Sequence, residues 1–209
     1  MDLKTKNRII TKALSVDFVK GGRDYLHGTD IYNAIQHLIL TDLKIEDIDK
    51  HIISFKSFAR ELCNILYSTD FALIEKVPDV LCEWKVICKD TSIYGVITSR
   101  NKPITYSKEY DEGSVLKFCQ IKNKRLVFEG DLNLSLIEKV IAATKHLHLT
   151  KIKKNKWAFV RYEGEIFLSF EDQNKFELEI IENLSNRFTK TVLTINSQVV
   201  GIVYFSTVV

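Results

Sequence analysis

Apolar residues recur at spacings of three and four in only two clear stretches of this chain. The first is Ile31, Ala34, Ile35, Leu38 and Ile39; the second is Leu134, Ile137, Val140, Ile141 and Thr144. Such spacing puts each set on one face of a helix. Elsewhere the apolar residues alternate with polar ones or form short β-branched and aromatic runs. Residues 51–60, 62–73, 156–163 and 176–181 read as strands on this basis. Two further segments read as β-hairpins, each an apolar strand, a polar turn and a second strand: Lys85–Ile97 around Asp90-Thr91-Ser92, and Thr191–Val203 around Asn196-Ser197-Gln198.

These elements come in the same order twice. Setting Gly28 over Gly130 places Arg23 on Arg125, Leu26 on Phe128, Ile35 on Ile137, Leu38 on Val140 and Ile39 on Ile141, with Leu14 on Leu116 and Val16 on Phe118 upstream. The hairpins superpose with Gly95 over Gly201. A matched strand, turn, helix and closing hairpin predict an internal duplication, with one α+β unit over residues 1–108 and another over 109–209. Each helix is apolar on one face, so each must lie against its sheet.

Composition narrows the class. The chain has 209 residues, 45% hydrophobic and 27% charged, with a formal net charge of +3. That balance lacks the basic excess of a dedicated nucleic-acid binder. No stretch approaches the run of about 18 apolar residues that a membrane span needs, and the start of the chain is polar and mixed; a cytoplasmic protein is expected. Cys63, Cys82, Cys88 and Cys119 form no CxxC pair and have no histidine at finger-like spacing, so reduced, mostly buried thiols and no metal site are expected. No Walker loop, dinucleotide glycine motif, HExxH or GxSxG occurs, so no cofactor is expected.

A strand, a long helix and three or four antiparallel strands, repeated, resemble the hotdog fold. A duplicated chain would then be a double hotdog, one continuous sheet around two central helices. A ferredoxin-like pair would need a second helix per half. One local match goes further. Arg23-Asp-Tyr25-Leu-His27-Gly28-Thr29-Asp30 resembles the R-x-Y-x-x-G-x-D stretch that opens the first hotdog of acyl-carrier-protein thioesterases. That family carries Asp-x-Asn-x-His-Val-Asn in its second hotdog. Here the run is Asp131-Leu-Asn133-Leu-Ser135-Leu-Ile137, with serine in place of the histidine. The dehydratase branch fits less well: its His-Phe-Pro run is absent, and Asn33 and Ser135 stand where its acid follows the glycine.

The resemblance implies acyl-thioester chemistry at the helix starts. Candidate catalytic residues are His27, Asp30, Asp131 and Glu138; candidate substrate contacts are Tyr25, Gly28, Thr29, Gly130 and Asn133. A histidine beside a carboxylate can act as general base. Unpaired N–H groups at a helix start suit a thioester carbonyl gaining negative charge. The competing reading makes Thr29 or Asp30 a cap of the first helix, Asp131 a cap of the second, and His27 a structural histidine. His146 and His148 are expected to complement the second helix dipole.

The expected function is thioesterase action on acyl groups carried by coenzyme A or an acyl carrier protein. The alternatives are a 3-hydroxyacyl-thioester dehydratase and a non-catalytic acyl- or partner-binding protein. The run Lys151–Lys156, with Lys122, Lys124 and Arg125, reads either as a solvated loop or as a docking patch for an acidic carrier. Homodimerisation stays open, and nucleic acid is the weaker partner.

Overall fold

Strand residues with alternating burial dominate the computed structural model, which describes residues 8–45, 47–152, 156–165 and 174–207. The chain divides into two compact units, residues 1–110 and 111–209.

In the first unit β1 (Ile10–Ala13) and β2 (Phe18–Lys20) precede α1 (Gly28–His37). A π-helical turn, Leu38–Asp42, extends α1 and buries Leu38 and Ile39. There follow β3 (Lys50–Phe55), β4 (Glu61–Ser68), the short α2 (Phe71–Ile74), β5 (Val80–Cys88), β6 (Thr91–Pro103) and β7 (Tyr106–Lys108). The main sheet has the order β1-β4-β6-β5-β3, every pair antiparallel. β2 and β7 form a separate parallel pair. In the second unit come α3 (Gly113–Leu116), β8 (Cys119–Lys122), β9 (Arg125–Glu129), α4 (Leu136–Ile152), β10 (Trp157–Gly164), β11 (Lys175–Leu184), β12 (Phe188–Ile195) and β13 (Gln198–Thr207). Their order is β10-β13-β12-β11-β9-β8, again antiparallel throughout.

Alternation explains which face is buried. Along β12 every second residue is buried, as period-two geometry requires when one face is covered. The helices do the covering. Tyr32 of α1 reaches His51 of β3, and His148 of α4 lies against Trp157, Thr189 and Phe205. Ile35 and Ile39, and Ile137 and Val140, are fully buried.

The duplicated pattern folds less symmetrically than it reads. Both hairpins form with two-residue connections: Cys88 pairs with Thr91 and Ile195 with Gln198. Asn196 and Ser197 both adopt positive φ, the geometry that matches strand twist in such a turn. The hairpins enter their sheets in opposite order, however. β6 pairs with β4 and β5 with β3, whereas β12 pairs with β11 and β13 with β10. β5 therefore runs parallel to β4 with β6 between them, and α2 lies in the connection. The matched starts also diverge. Gly28 is the first residue of α1, while Gly130 precedes the start of α4 by six positions. Leu116 ends α3 instead of sitting in a strand, and the segment aligned with β9 is irregular in the first unit. The offset that matched apolar residues thus slid across element boundaries.

The matched glycines nonetheless do the same work. Gly95 lies between Tyr67 and Trp84 in cross-strand register, and a Cβ there would overlap the Trp84 indole. A Cβ at Gly201 would overlap the Tyr162 ring. Each glycine lets one buried aromatic ring lie flat on the sheet.

Two histidines sit wholly inside the core. Burial pushes His51 down to about 3. It also pushes His148 down to about 4, partly opposed by the Thr144 carbonyl. His148 is therefore neutral and stacked on Trp157, and the expected dipole-complementing charge is absent there. The thiols move the other way: burial raises Cys63 and Cys119 to about 11 and raises Cys82 and Cys88 as well.

Two outcomes follow. Gly95→Ala should lower stability by about 1–3 kcal/mol in urea unfolding, and Trp84→Leu in the same chain should recover part of that loss. If Gly95→Ala alone is neutral, the close approach is not as described. For the histidines, the folded pKa lies below the unfolded value of 6.5. The unfolded chain then binds more protons, and stability is full above about pH 6.5 and falls as pH drops toward 4. Each histidine contributes on the order of 3 kcal/mol to that fall. His148→Gln should narrow the stability difference between pH 7 and pH 4.5; an unchanged difference would count against a buried neutral His148.

Candidate functional site

The segment between β2 and α1 brings most of the sequence-predicted residues of the first unit together, and a buried ion pair organises it. Lys20 Nζ lies 2.6 Å from Asp30 Oδ1, with side-chain exposures of 10% and 7%. Lys20 is the last residue of β2 and the buried one of its three. Asp30 sits in the first turn of α1, where a carboxylate also complements the helix dipole. Gly21, with φ of 59°, turns the chain after β2, and its N–H donates to the Lys108 carbonyl.

Each position of the Arg-x-Tyr-x-x-Gly-x-Asp stretch has a structural task. Arg23 Nη1 donates to the Lys20 carbonyl, and its guanidinium lies over the Tyr110 ring at 5.4 Å. Tyr25 packs against Phe58 at 4.4 Å between centroids, and Leu26 N–H donates to the Ala59 carbonyl. Gly28 begins α1, and Asp30 meets Lys20. The stretch is thus the ordered entry into α1, and its tyrosine is a packing residue of that entry.

His27 is the N-cap of α1, in extended conformation with φ −70° and ψ 136°, and its side chain makes no capping hydrogen bond. Its Nδ1 lies 2.7 Å from Thr29 Oγ1. Its ring is 5.5 Å from Tyr110. Thr29 and Asp30 therefore do not cap the helix: one serves the histidine and the other the lysine. The Asp30 N–H already donates to the His27 carbonyl at 2.9 Å, so the backbone donors without an intrahelical acceptor at this helix start are those of Gly28 and Thr29.

The start of α4 is built differently. Ser135 precedes the helix, and Glu138 Oε2 accepts from both Ser135 N–H (2.8 Å) and Ser135 Oγ (2.7 Å). This is a capping box, and it is buried. The Glu138 carboxylate, expected at a catalytic position, holds the helix start closed. Asp131 and Asn133 are exposed and lie in the turn before Ser135, so Asp131 is not the helix cap. Gly130 donates to the Asn174 carbonyl, and a Cβ there would overlap Phe118. It is a packing glycine, whereas Gly28 opens its helix.

The basic patch is only partly in view. Residues 153–155 of Lys151–Lys156 lie outside the described residues. Lys122, Lys124 and Arg125 are exposed on the β8–β9 hairpin, with Arg125 paired to Glu179 at 2.9 Å. Among the described residues no group of histidines, cysteines and carboxylates could hold a metal ion, and no helix is long and apolar enough to cross a membrane.

Sequence reasoning missed Lys20 and Tyr110. Lys20 carried a signal, a charge on the apolar side of a strand. Tyr110 carried none, because it reaches His27 from the far end of the unit.

If the ion pair organises the entry, removing one partner should cost about 3–5 kcal/mol. Lys20→Met should show this as a lowered Tm, and adding Asp30→Leu should restore most of it. A Lys20→Met chain as stable as the parent would mean the pair does not hold the α1 start.

No protein-family model and no curated protein matches this chain. Solved structures do resemble it. A proposed thioesterase II from Thermobifida fusca is similar with a TM-score of 0.56 at 8% identity, over 100% of this chain and 98% of that one. A dehydratase domain of a trans-AT polyketide synthase from Brevibacillus brevis reaches 0.52 at 6% identity, over 96% and 93%. A monomeric dehydratase domain from a trans-AT polyketide synthase split module reaches 0.50 at 13%, over 97% and 100%. At such identities the likeness speaks for the fold alone, and the fold that this chain shares with them is the hotdog.

Proposed function

We propose that the chain is an acyl-thioester-processing enzyme, a thioesterase acting on acyl groups carried by coenzyme A or an acyl carrier protein. Its two units are the two repeats of a double hotdog, and the reacting centre lies at the start of α1. The observation that carries this reading is the contrast between two helix starts. That of α4 is closed by its own serine and glutamate. That of α1 carries a histidine whose side chain makes no capping bond. An attacked thioester places negative charge on its carbonyl oxygen, and open N–H groups with the dipole behind them stabilise that charge. His27 stands in the same turn. In the same turn Asp30 pairs with Lys20.

The dehydratase domains among the similar structures support a second reading, loss of water from a 3-hydroxyacyl thioester. The two reactions leave different products.

The test is turnover of acyl thioesters from short to long chains, offered on coenzyme A and on a carrier protein. Release of free thiol marks the hydrolase, and a new enoyl absorbance without thiol marks the dehydratase. His27→Ala should lower the rate at least about 100-fold. No product from any substrate, or an unaffected His27→Ala variant, would end the proposal.

A further inference from the structure

We infer that the open edge of β8 is a docking site for an extended peptide segment with acidic side chains at alternate positions, added to the sheet of the second unit as a further strand. The inference does not depend on the acyl reading.

Charges on the solvent-facing side of this sheet follow a common pattern. Arg125 of β9 stands opposite Glu179 of β11 in register, and the two pair at 2.9 Å. Lys175 of β11 stands opposite Glu129 of β9 and pairs with it at 2.9 Å. Lys190 of β12 stands opposite Glu182 of β11 and pairs with it at 2.6 Å. Each of these bases is answered by an acid on the neighbouring strand, the cross-strand pairing that stabilises a sheet. β8 breaks the pattern. Lys122 stands opposite Arg125, and like charges so placed are destabilising. Lys117 and Lys124 flank it, and all three lysines are exposed. Among the described residues none of the three meets a carboxylate. The stretch from Lys117 to Arg125 contains no acidic residue at all.

The backbone of β8 is open on the same edge. β9 lies on one side of β8, and no described strand lies on the other. The turn between them has two residues, Asn123 and Lys124, so Lys122 and Arg125 exchange backbone hydrogen bonds. The Glu129 N–H donates to the Phe118 carbonyl at 3.1 Å, which keeps the same phase along the pair. Phe118, Gln120 and Lys122 therefore turn their backbone groups toward β9, and Cys119 and Ile121 turn theirs to the open edge. Such an edge accepts a strand from another chain.

The lysines decide which chain. A second copy of β8 would bring more bases and no acid, so pairing of this edge with itself is disfavoured. An extended segment with acids at alternate positions places them all on one face. Set beside Gln120 and Lys122, they would give the edge the acid that the inner strands already have. The residues between them would lie beside Cys119 and Ile121, which are half-buried.

Titration of nitrogen-15-labelled full chain with an octapeptide alternating glutamate and valine tests this. The amides of Cys119 and Ile121 should shift most, in a saturable way, and should slow in hydrogen exchange. The same peptide with every backbone nitrogen methylated keeps its charge but loses its donors, and it should not bind. A lysine–valine counterpart should bind at least about fivefold more weakly, and Lys122→Glu, a substitution at an exposed position, should reverse that preference. Equal binding of the methylated peptide would mean a charged surface and no added strand, and would overturn the inference. Equal binding of the two charged peptides, largest shifts away from β8, or no binding would overturn it as well.

Discussion

The start of α1 depends on a lysine and an aspartate that are almost withdrawn from water. Lys20 and Asp30 come from a strand and from a first helical turn, and they meet at 2.6 Å. A buried pair of this kind adds little net stability over apolar side chains, because desolvation offsets most of the attraction. Its effect is geometric. Neither charge tolerates the loss of the other, so β2 and the first turn of α1 can take few arrangements. Arg23, Tyr25 and Leu26 complete the path between them through the Lys20 carbonyl, Phe58 and the Ala59 carbonyl. His27 and Thr29 inherit their positions from that path.

The same constraint explains why the two units differ where chemistry is concerned. In the second unit the residues before the helix have simpler tasks. Gly130 admits the Phe118 ring, and Ser135 and Glu138 satisfy each other at the start of α4. In the first unit Asp30 is turned to Lys20 and Thr29 to His27, so the side chains that ordinarily cap a helix are engaged elsewhere.

The sheets and helices were legible because burial imposes its period directly on the chain. The apolar faces of α1 and α4, β3, β4, β10, β11 and both hairpins overlap the stretches read from pattern, but β5, β6, β11, β12 and β13 run longer than read, and residues 71–73, read as strand, fold into α2. Strand order was not legible. Lys85–Ile97 and Thr191–Val203 read alike, yet β5 and β6 enter their sheet in the reverse order to β12 and β13, because a hairpin's sequence states which strands pair with each other and not which neighbour each will meet. The alignment on Gly28 and Gly130 failed for a related reason: apolar spacing matches helices at several offsets, and a glycine can open a helix or admit a ring. At the site, His27, Thr29 and Asp30 were found as a group, but their division of labour depends on Lys20 and Tyr110. Those partners are set by tertiary contact, and only the lysine left a trace in the pattern.

The central proposal is that an acyl thioester meets this chain at the start of α1. The most direct measurement is a titration of nitrogen-15-labelled chain with a non-hydrolysable acyl-coenzyme A thioether, followed by amide and ring NMR shifts. The account predicts the largest changes at the amides of Gly28 and Thr29 and at the His27 ring, with the amides of Ser135 and Glu138 little moved. Saturable binding with its largest shifts elsewhere, or no binding of a ligand of any chain length, would contradict it.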